Sequence, residues 1–171
     1  IASGIDTRHE LLKPLNKFDF SNISNEIIKR GFRGITVAGD IHGNFEAFRS
    51  ASDLSMSQNN LFIQLGDVMD YGRDPLECIE LLYDRVIRGY AINIIGNHDR
   101  KLEKWLLQET SSKRNSDYYR YKNPVILSEA NKITTEKFNH LSYEKRISIE
   151  SKFHTLMNLG RYHLNIRNCS F

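Results

Sequence analysis

Cysteine is scarce in this chain of 171 residues: there are 2, Cys78 in a stretch of helical pattern and Cys169 near the C-terminus. Two cysteines without a recurring spacing exclude a disulfide scaffold and a thiolate zinc site, and they fit a reducing, cytoplasmic setting with inert thiols. Long apolar runs are missing too. None approaches the ~20 residues that cross a bilayer, and Ile1 to Glu10 lacks the apolar core of a secretory signal, so no membrane partner is expected. Charge of one sign is equally lacking, since 24 Lys+Arg against 21 Asp+Glu leave a net charge of +3. So mild an excess suits a phosphorylated or nucleic-acid partner without singling one out. No internal repeat or low-complexity tract is present. A hydrophobic share of 40% with 26% charged residues is the composition of a folded domain, not of a disordered segment, and the length suits one domain over 1–171.

What is present is a regular alternation. After a polar lead-in, in which Pro14 ends any helix over Glu10–Lys13 and Gly31 closes a short helix over Asn25–Arg30, the chain reads as strand, helix, strand, helix, strand. Strands are predicted over Gly34–Gly39, Leu61–Gly66 and Ala91–Gly96, and helices over Asn44–Met56, Asp74–Arg88 and His98–Gln108. The second helix carries Asp74 at its N-cap, Pro75 at its first position and an apolar stripe of Leu76, Ile79, Leu82, Tyr83 and Val86. This order predicts an α/β fold, a βαβαβ parallel sheet with covering helices, whose short, apolar strands are covered on both faces. Beyond Gln108 the character changes: Thr110–Asp117 reads as a polar loop, Thr134–Asn158 as one or two helices parted near Leu141-Ser142, and Tyr162–Phe171 as the start of a strand. Residues 34–107 therefore form a motif-bearing core and 108–171 a helical segment.

Each of the three predicted strands ends alike, with an apolar run, a glycine and then metal-binding residue types: Gly39-Asp40-Ile41-His42-Gly43-Asn44, Gly66-Asp67-Val68-Met69-Asp70-Tyr71-Gly72 and Gly96-Asn97-His98-Asp99. In a parallel sheet the C-terminal strand ends share one edge, where ligands bind. Asp40, His42, Asp67, Asp70, Asn97 and His98 are therefore expected to converge. Carboxylates with imidazole suit Mn, Fe, Zn or Ni, and the mixed donor set argues against a calcium cage. Glycine lets the backbone turn sharply and lets metal and phosphate approach. An aspartate on the middle strand can bridge two ions, and a pair of ions clamps a phosphoryl group and activates a water. Each motif alone also reads as ordinary turn and cap chemistry; the three in order do not.

GDIHGN, GDVMDYG and GNHD resemble the N-terminal signatures of the calcineurin-like metallophosphoesterases, over about residues 34–107. The likeness is strongest to the branch holding PPP-type serine/threonine phosphatases, symmetrical diadenosine tetraphosphatases and the phosphatase module of polynucleotide kinase-phosphatases. It implies an αββα sandwich of which this sheet is part, two divalent metal ions with Mn foremost, and phosphoester hydrolysis. By position it makes Asp40 and His42 ligands of one metal, Asp67 the bridging carboxylate, Asn97 a ligand of the second metal and a phosphate contact, His98 the proton donor to the leaving group and Asp70 its orienting partner. A carboxylate beside an imidazole favours the protonated ring, the form able to act as an acid. Asp99 reads as a helix cap.

Two departures from the family pattern stand out. Tyr71 occupies the place of an arginine that contacts phosphate in GDxxDRG, leaving Arg73 and Arg100 as candidate substrate contacts, each with an equal reading as a solvated helix-end charge. The family's two later histidines, in strand–His–Gly and Gly–His settings, have no counterpart. His9, His140, His154 and His163 read as ordinary surface or packing histidines. His163–Phe171 resembles the edge hairpin leading to the next ligand strand, so a piece of a longer protein is expected, with a weak second metal site and impaired activity. The substrate expected is a phosphoprotein, a dinucleoside polyphosphate or a nucleic-acid phosphate end. Lys113-Arg114 and Tyr118–Lys122 mix bases with aromatics, which can serve nucleic acid but fits a solvated helical insert better. The competing reading is a non-enzymatic module that keeps the fold and a metal for binding.

Overall fold

The computed structural model of the chain describes residues 22–114, 125–166 and 169–170. The expected break at Pro14, His9, residues 115–117 of the expected loop, and Tyr118–Lys122 lie outside these residues. In chain order the elements are α1 (Ile23–Lys29), β1 (Gly34–Ala38), α2 (Phe45–Ser57), β2 (Asn60–Gln64), α3 (Pro75–Ile87), β3 (Ala91–Asn93), α4 (Asn97–Arg114), α5 (Glu129–Asn139), α6 (Tyr143–Leu159), β4 (Asn165–Ile166) and β5 (Cys169–Ser170).

The predicted alternation holds. β1, β2 and β3 lie side by side in chain order, all parallel, with Ala38 opposite Gln64 and Gln64 opposite Asn93. Parallel neighbours require a crossover, and α2 and α3 supply it, α2 packing on β1 and β2 and α3 on β3. Their starts follow from local chemistry. Asn44 accepts the Ala47 N–H at 3.2 Å and so caps α2. Pro75 opens α3, where a missing N–H costs nothing, but the Asp74 carboxylate makes no capping bond and pairs with Arg73 at 3.1 Å instead. The core lies between sheet and helices, on Phe48, Leu61, Ile63, Ile79, Leu82 and Ile92, and continues through Leu106, Phe138, Phe153 and Leu156 to α4, α5 and α6.

Three expectations need correction. The strands are not all covered on both faces: β2 and β3 are buried, but β1 is an edge strand and Val37 is 42% exposed. Regular pairing of the third strand stops at Asn93; Ile94 forms an isolated parallel bridge with Arg161, where the chain returns after α6. Residues 110–114 are not loop, because α4 runs on to Arg114. Their serines and threonine are weak helix formers, yet extending a nucleated helix adds a hydrogen bond per residue fixed. The break between the two C-terminal helices falls where expected, with Ser142 capping α6 through the Lys145 N–H at 3.3 Å, and β4 and β5 pair as a short antiparallel hairpin.

Candidate metal centre and histidine–aspartate dyad

The loops after β1 and β2 are laced together by backbone. His42 N–H donates to the Asp67 carbonyl and Gly43 N–H to that of Val68, both at 2.9 Å, and Gly72 N–H returns to the His42 carbonyl at 2.7 Å. The loops after β2 and β3 are joined by side chains. Asp67 Oδ1 accepts the His98 N–H at 2.9 Å, while Asp99 Oδ2 accepts the N–H of Gly96 at 2.8 Å and of Asp67 at 3.1 Å. Asp99 does cap the start of α4, as expected; its second role, tying that helix to the Asp67 loop, was not foreseen. It is buried, which pushes its carboxyl up to about 6 against the pull of the Gly96 N–H, with the charge of Asp67 adding to the rise.

Close approach explains two of the glycines. A Cβ on Gly66 would lie 2.6 Å from the Gly96 nitrogen, and one on Gly96 would lie 2.6 Å from the Asp67 nitrogen and against its carboxylate. Gly39 is different, with nothing within 4 Å of its Cβ position. Strain is concentrated on the same loops. Of the five non-glycine residues with positive φ among those described, four are here: His42 (47°), Asp67 (51°), Asp70 (73°) and Tyr71 (52°). Such backbone persists only where its surroundings over-determine it, and it aims side chains in directions ordinary turns do not.

Ligand-type atoms of Asp40, His42 and Asp67 all lie within 4.8 Å of one another. Asp40 is exposed and His42 half-buried. His42 Nδ1 lies 3.2 Å from the Met69 carbonyl, an acceptor, which assigns the proton to Nδ1 and leaves Nε2 free to bind a cation. Asp67 Oδ1 is held by the His98 N–H, leaving Oδ2 as its free oxygen. Two carboxylates and one oriented imidazole fit a divalent transition-metal ion. Asn97 is exposed at the start of α4, next to the His98 amide bound to Asp67.

The dyad adjoins this group. His98 Nδ1 lies 2.7 Å from Asp70 Oδ2, and the rings of His98 and His42 are 5.1 Å apart, nearly perpendicular. Asp70 is 1% exposed and fully bonded. Its Oδ1 accepts the Thr134 hydroxyl at 2.5 Å, its Oδ2 also accepts from Asn131 Nδ2, and its own N–H donates back to Thr134 Oγ1 at 3.1 Å. Asn131 and Thr134 are 3 apart on α5, one face of one helix, and were not foreseen as site residues. Asn131 is fixed in turn by a capping box with Ser128.

Arg73 and Arg100 are otherwise engaged. Arg73 pairs with Asp74, and Arg100 pairs with Glu103 at 2.5 Å and lies over the Tyr162 ring. His140 sits at the C-cap of α5 with Nδ1 at 2.7 Å from the Glu136 carbonyl; His154 packs beside Phe153, and His163 is exposed. Among the described residues, the acidic, histidine and cysteine side chains gathered closely enough for an ion are Asp40, His42 and Asp67.

A parallel βαβαβ sheet carries an acid–imidazole cluster that could hold a metal ion, with a His–Asp pair beside it on the same edge, which defines an α/β protein. Residues 34–168 match the Calcineurin-like phosphoesterase family, and the chain belongs to it. The relatives it resembles include bis(5'-nucleosyl)-tetraphosphatase PrpE [asymmetrical] of Oceanobacillus iheyensis, 27% identical over 78% of this chain and 52% of that one. The uncharacterized protein MJ0912 of Methanocaldococcus jannaschii is 36% identical over 38% of this chain and 26% of its own. Serine/threonine-protein phosphatase SIT4 of Candida albicans is 39% identical over 39% of this chain and 24% of its own. The chain thus spans about half the length of the first of these and about a quarter of the others. No described helix is long and apolar enough to cross a membrane.

Proposed function

We propose that this chain carries the metal-binding and proton-donating half of a phosphoester hydrolase. The observation that supports it best is the joint placement of the Asp40–His42–Asp67 cluster and the His98–Asp70 pair on one sheet edge. Divalent ions held there by Asp40, His42, Asp67 and Asn97, with Mn the preferred ion, would neutralise phosphoryl oxygens and activate the attacking water. The chain's own groups do the rest. With Asp70 accepting from Nδ1, His98 presents Nε2 to the substrate. As the water oxygen forms its bond to phosphorus, the ester P–O bond breaks with its electron pair on the leaving oxygen, and His98 gives that oxygen a proton. Arg73 and Arg100 are the candidate phosphate contacts; each pairs with its carboxylate through one nitrogen, Nε of Arg73 and Nη1 of Arg100, and keeps further N–H donors.

The substrate classes that suit the site are a phosphoprotein, a dinucleoside polyphosphate and a nucleic-acid phosphate end. The names of two relatives, a tetraphosphatase and a protein phosphatase, support the first two. Scarce cysteine supports a cytoplasmic setting. The test is turnover by the metal-free chain on adding Mn, Mg or Zn, with a phosphopeptide, a dinucleoside tetraphosphate and a 3′-phosphorylated oligonucleotide. Turnover should require metal, vanish in Asp40→Asn and fall at least a hundredfold in His98→Ala, in line with general-acid contributions. Mn binding without any turnover favours the second reading, a binding module, for which the support is that the described residues gather one group able to hold an ion, Asp40, His42 and Asp67.

A further inference from the structure

Tyr71 has no task in the chemistry above, yet it stands at its centre. Its ring packs edge-on to His42, centroids 4.7 Å apart, and tilted against His98 at 5.6 Å. It is also 61% exposed, and its φ is 52°. A bulky aromatic residue in the left-handed region is uncommon, because its Cβ crowds the backbone; glycine or asparagine tolerates that conformation better. Here the conformation is fixed by the close fit of the next residue, Gly72, against the backbone of His42 and Gly43. A large ring is therefore held in the open, over the two imidazoles, where the backbone disfavours it.

We infer that Tyr71 selects substrates whose leaving group is an aryl ring bonded directly to the leaving oxygen, by packing it beside His98. The inference rests on the reading that His98 donates a proton to the leaving oxygen. That oxygen must come within hydrogen-bond reach of the His98 ring, so the atoms attached to it fall beside Tyr71. An aromatic surface there rewards another aromatic ring and offers nothing particular to a small alkyl group. The rings packed against His98 are those of His42, at 5.1 Å, and Tyr71, at 5.6 Å; His42 is assigned to the metal, and Tyr71 is the one with no other task.

The test is binding of phenyl phosphate and ethyl phosphate, matched in charge, to the Mn-loaded chain by titration calorimetry, with Mn titrated separately. The wild type is expected to prefer phenyl phosphate by about tenfold, the order of one aromatic stack. Tyr71→Phe keeps that ratio. Tyr71→Ala and Tyr71→Asn, the second chosen because it tolerates the backbone, bring it near one while Mn affinity holds. A wild-type ratio near one, or a preference that survives both truncations, overturns the inference alone. A truncation that lowers melting temperature and Mn affinity together makes the ring a packing residue and overturns it as well. Failure of both esters to bind the Mn-loaded wild type overturns the hydrolase reading and this inference with it.

Discussion

Thr134 makes a sharp test of how α5 holds the dyad. Thr134→Val keeps the shape of a fully buried side chain and removes only its hydroxyl. Two bonds go with it: the one donated to Asp70 Oδ1 at 2.5 Å and the one accepted from the Asp70 N–H at 3.1 Å. A hydrogen bond to a charged group contributes about 1.5–3 kcal/mol, and a buried donor left without a partner costs about 1–3 kcal/mol. Both fall on one residue and share one relaxation, so they do not simply add; a loss of about 2–4 kcal/mol is expected. Valine leaves no cavity, so packing contributes little. Urea denaturation should show the loss as a lower midpoint with unchanged slope. Thr135→Val is the control. Its hydroxyl bonds the Lys132 carbonyl within its own helix at 3.1 Å, and its loss should cost under about 1 kcal/mol. Mn affinity should survive Thr134→Val, because Asp70 is not among the proposed ligands, while turnover falls. A loss below ~1 kcal/mol, or one equal to the control, would refute the view that α5 fixes Asp70 through this hydroxyl.

Glycines at two equivalent strand ends should behave differently. Gly96→Ala puts a methyl 2.6 Å from the Asp67 nitrogen and against its carboxylate, so Mn affinity measured by calorimetry should fall at least tenfold and stability by about 1–3 kcal/mol. Gly39→Ala meets nothing within 4 Å and should stay within ~0.5 kcal/mol of wild type with Mn affinity intact. Burial, and after it the charges of Glu77 and Asp74, pushes the Cys78 thiol up to about 12. In a Cys169→Ser background, Cys78 should therefore resist a disulfide-exchange reagent at pH 8 until urea unfolds the chain, whereas rapid native-state labelling would mean the thiol is not buried.

The sheet and the gathering of Asp40, His42 and Asp67 were legible in the sequence because both depend on contiguous patterns. A strand, a glycine and a short acidic or histidine run announce themselves locally, and parallel topology then brings the three tips to one edge without further information. The dyad's partner was legible for the same reason, since Asp70 lies in the second tip. What holds Asp70 was not. Asn131 and Thr134 come from 61 and 64 residues away, and in sequence Asn131 falls before the helix expected from Thr134 while Thr134 is merely its first residue. The available signal was the Ser128–Asn131 spacing, which is that of a capping box and moves the helix start back to Glu129. With that start, Asn131, Thr134 and Thr135 fall inside one helix, and all three are buried. Polar residues buried side by side on a helix need partners, and a carboxylate is the partner that can accept from both an amide and a hydroxyl. The helical segment beyond Gln108 is thus part of the site: it supplies the donors that satisfy the buried carboxylate of Asp70, and without α5 that carboxylate would keep only its bond to His98.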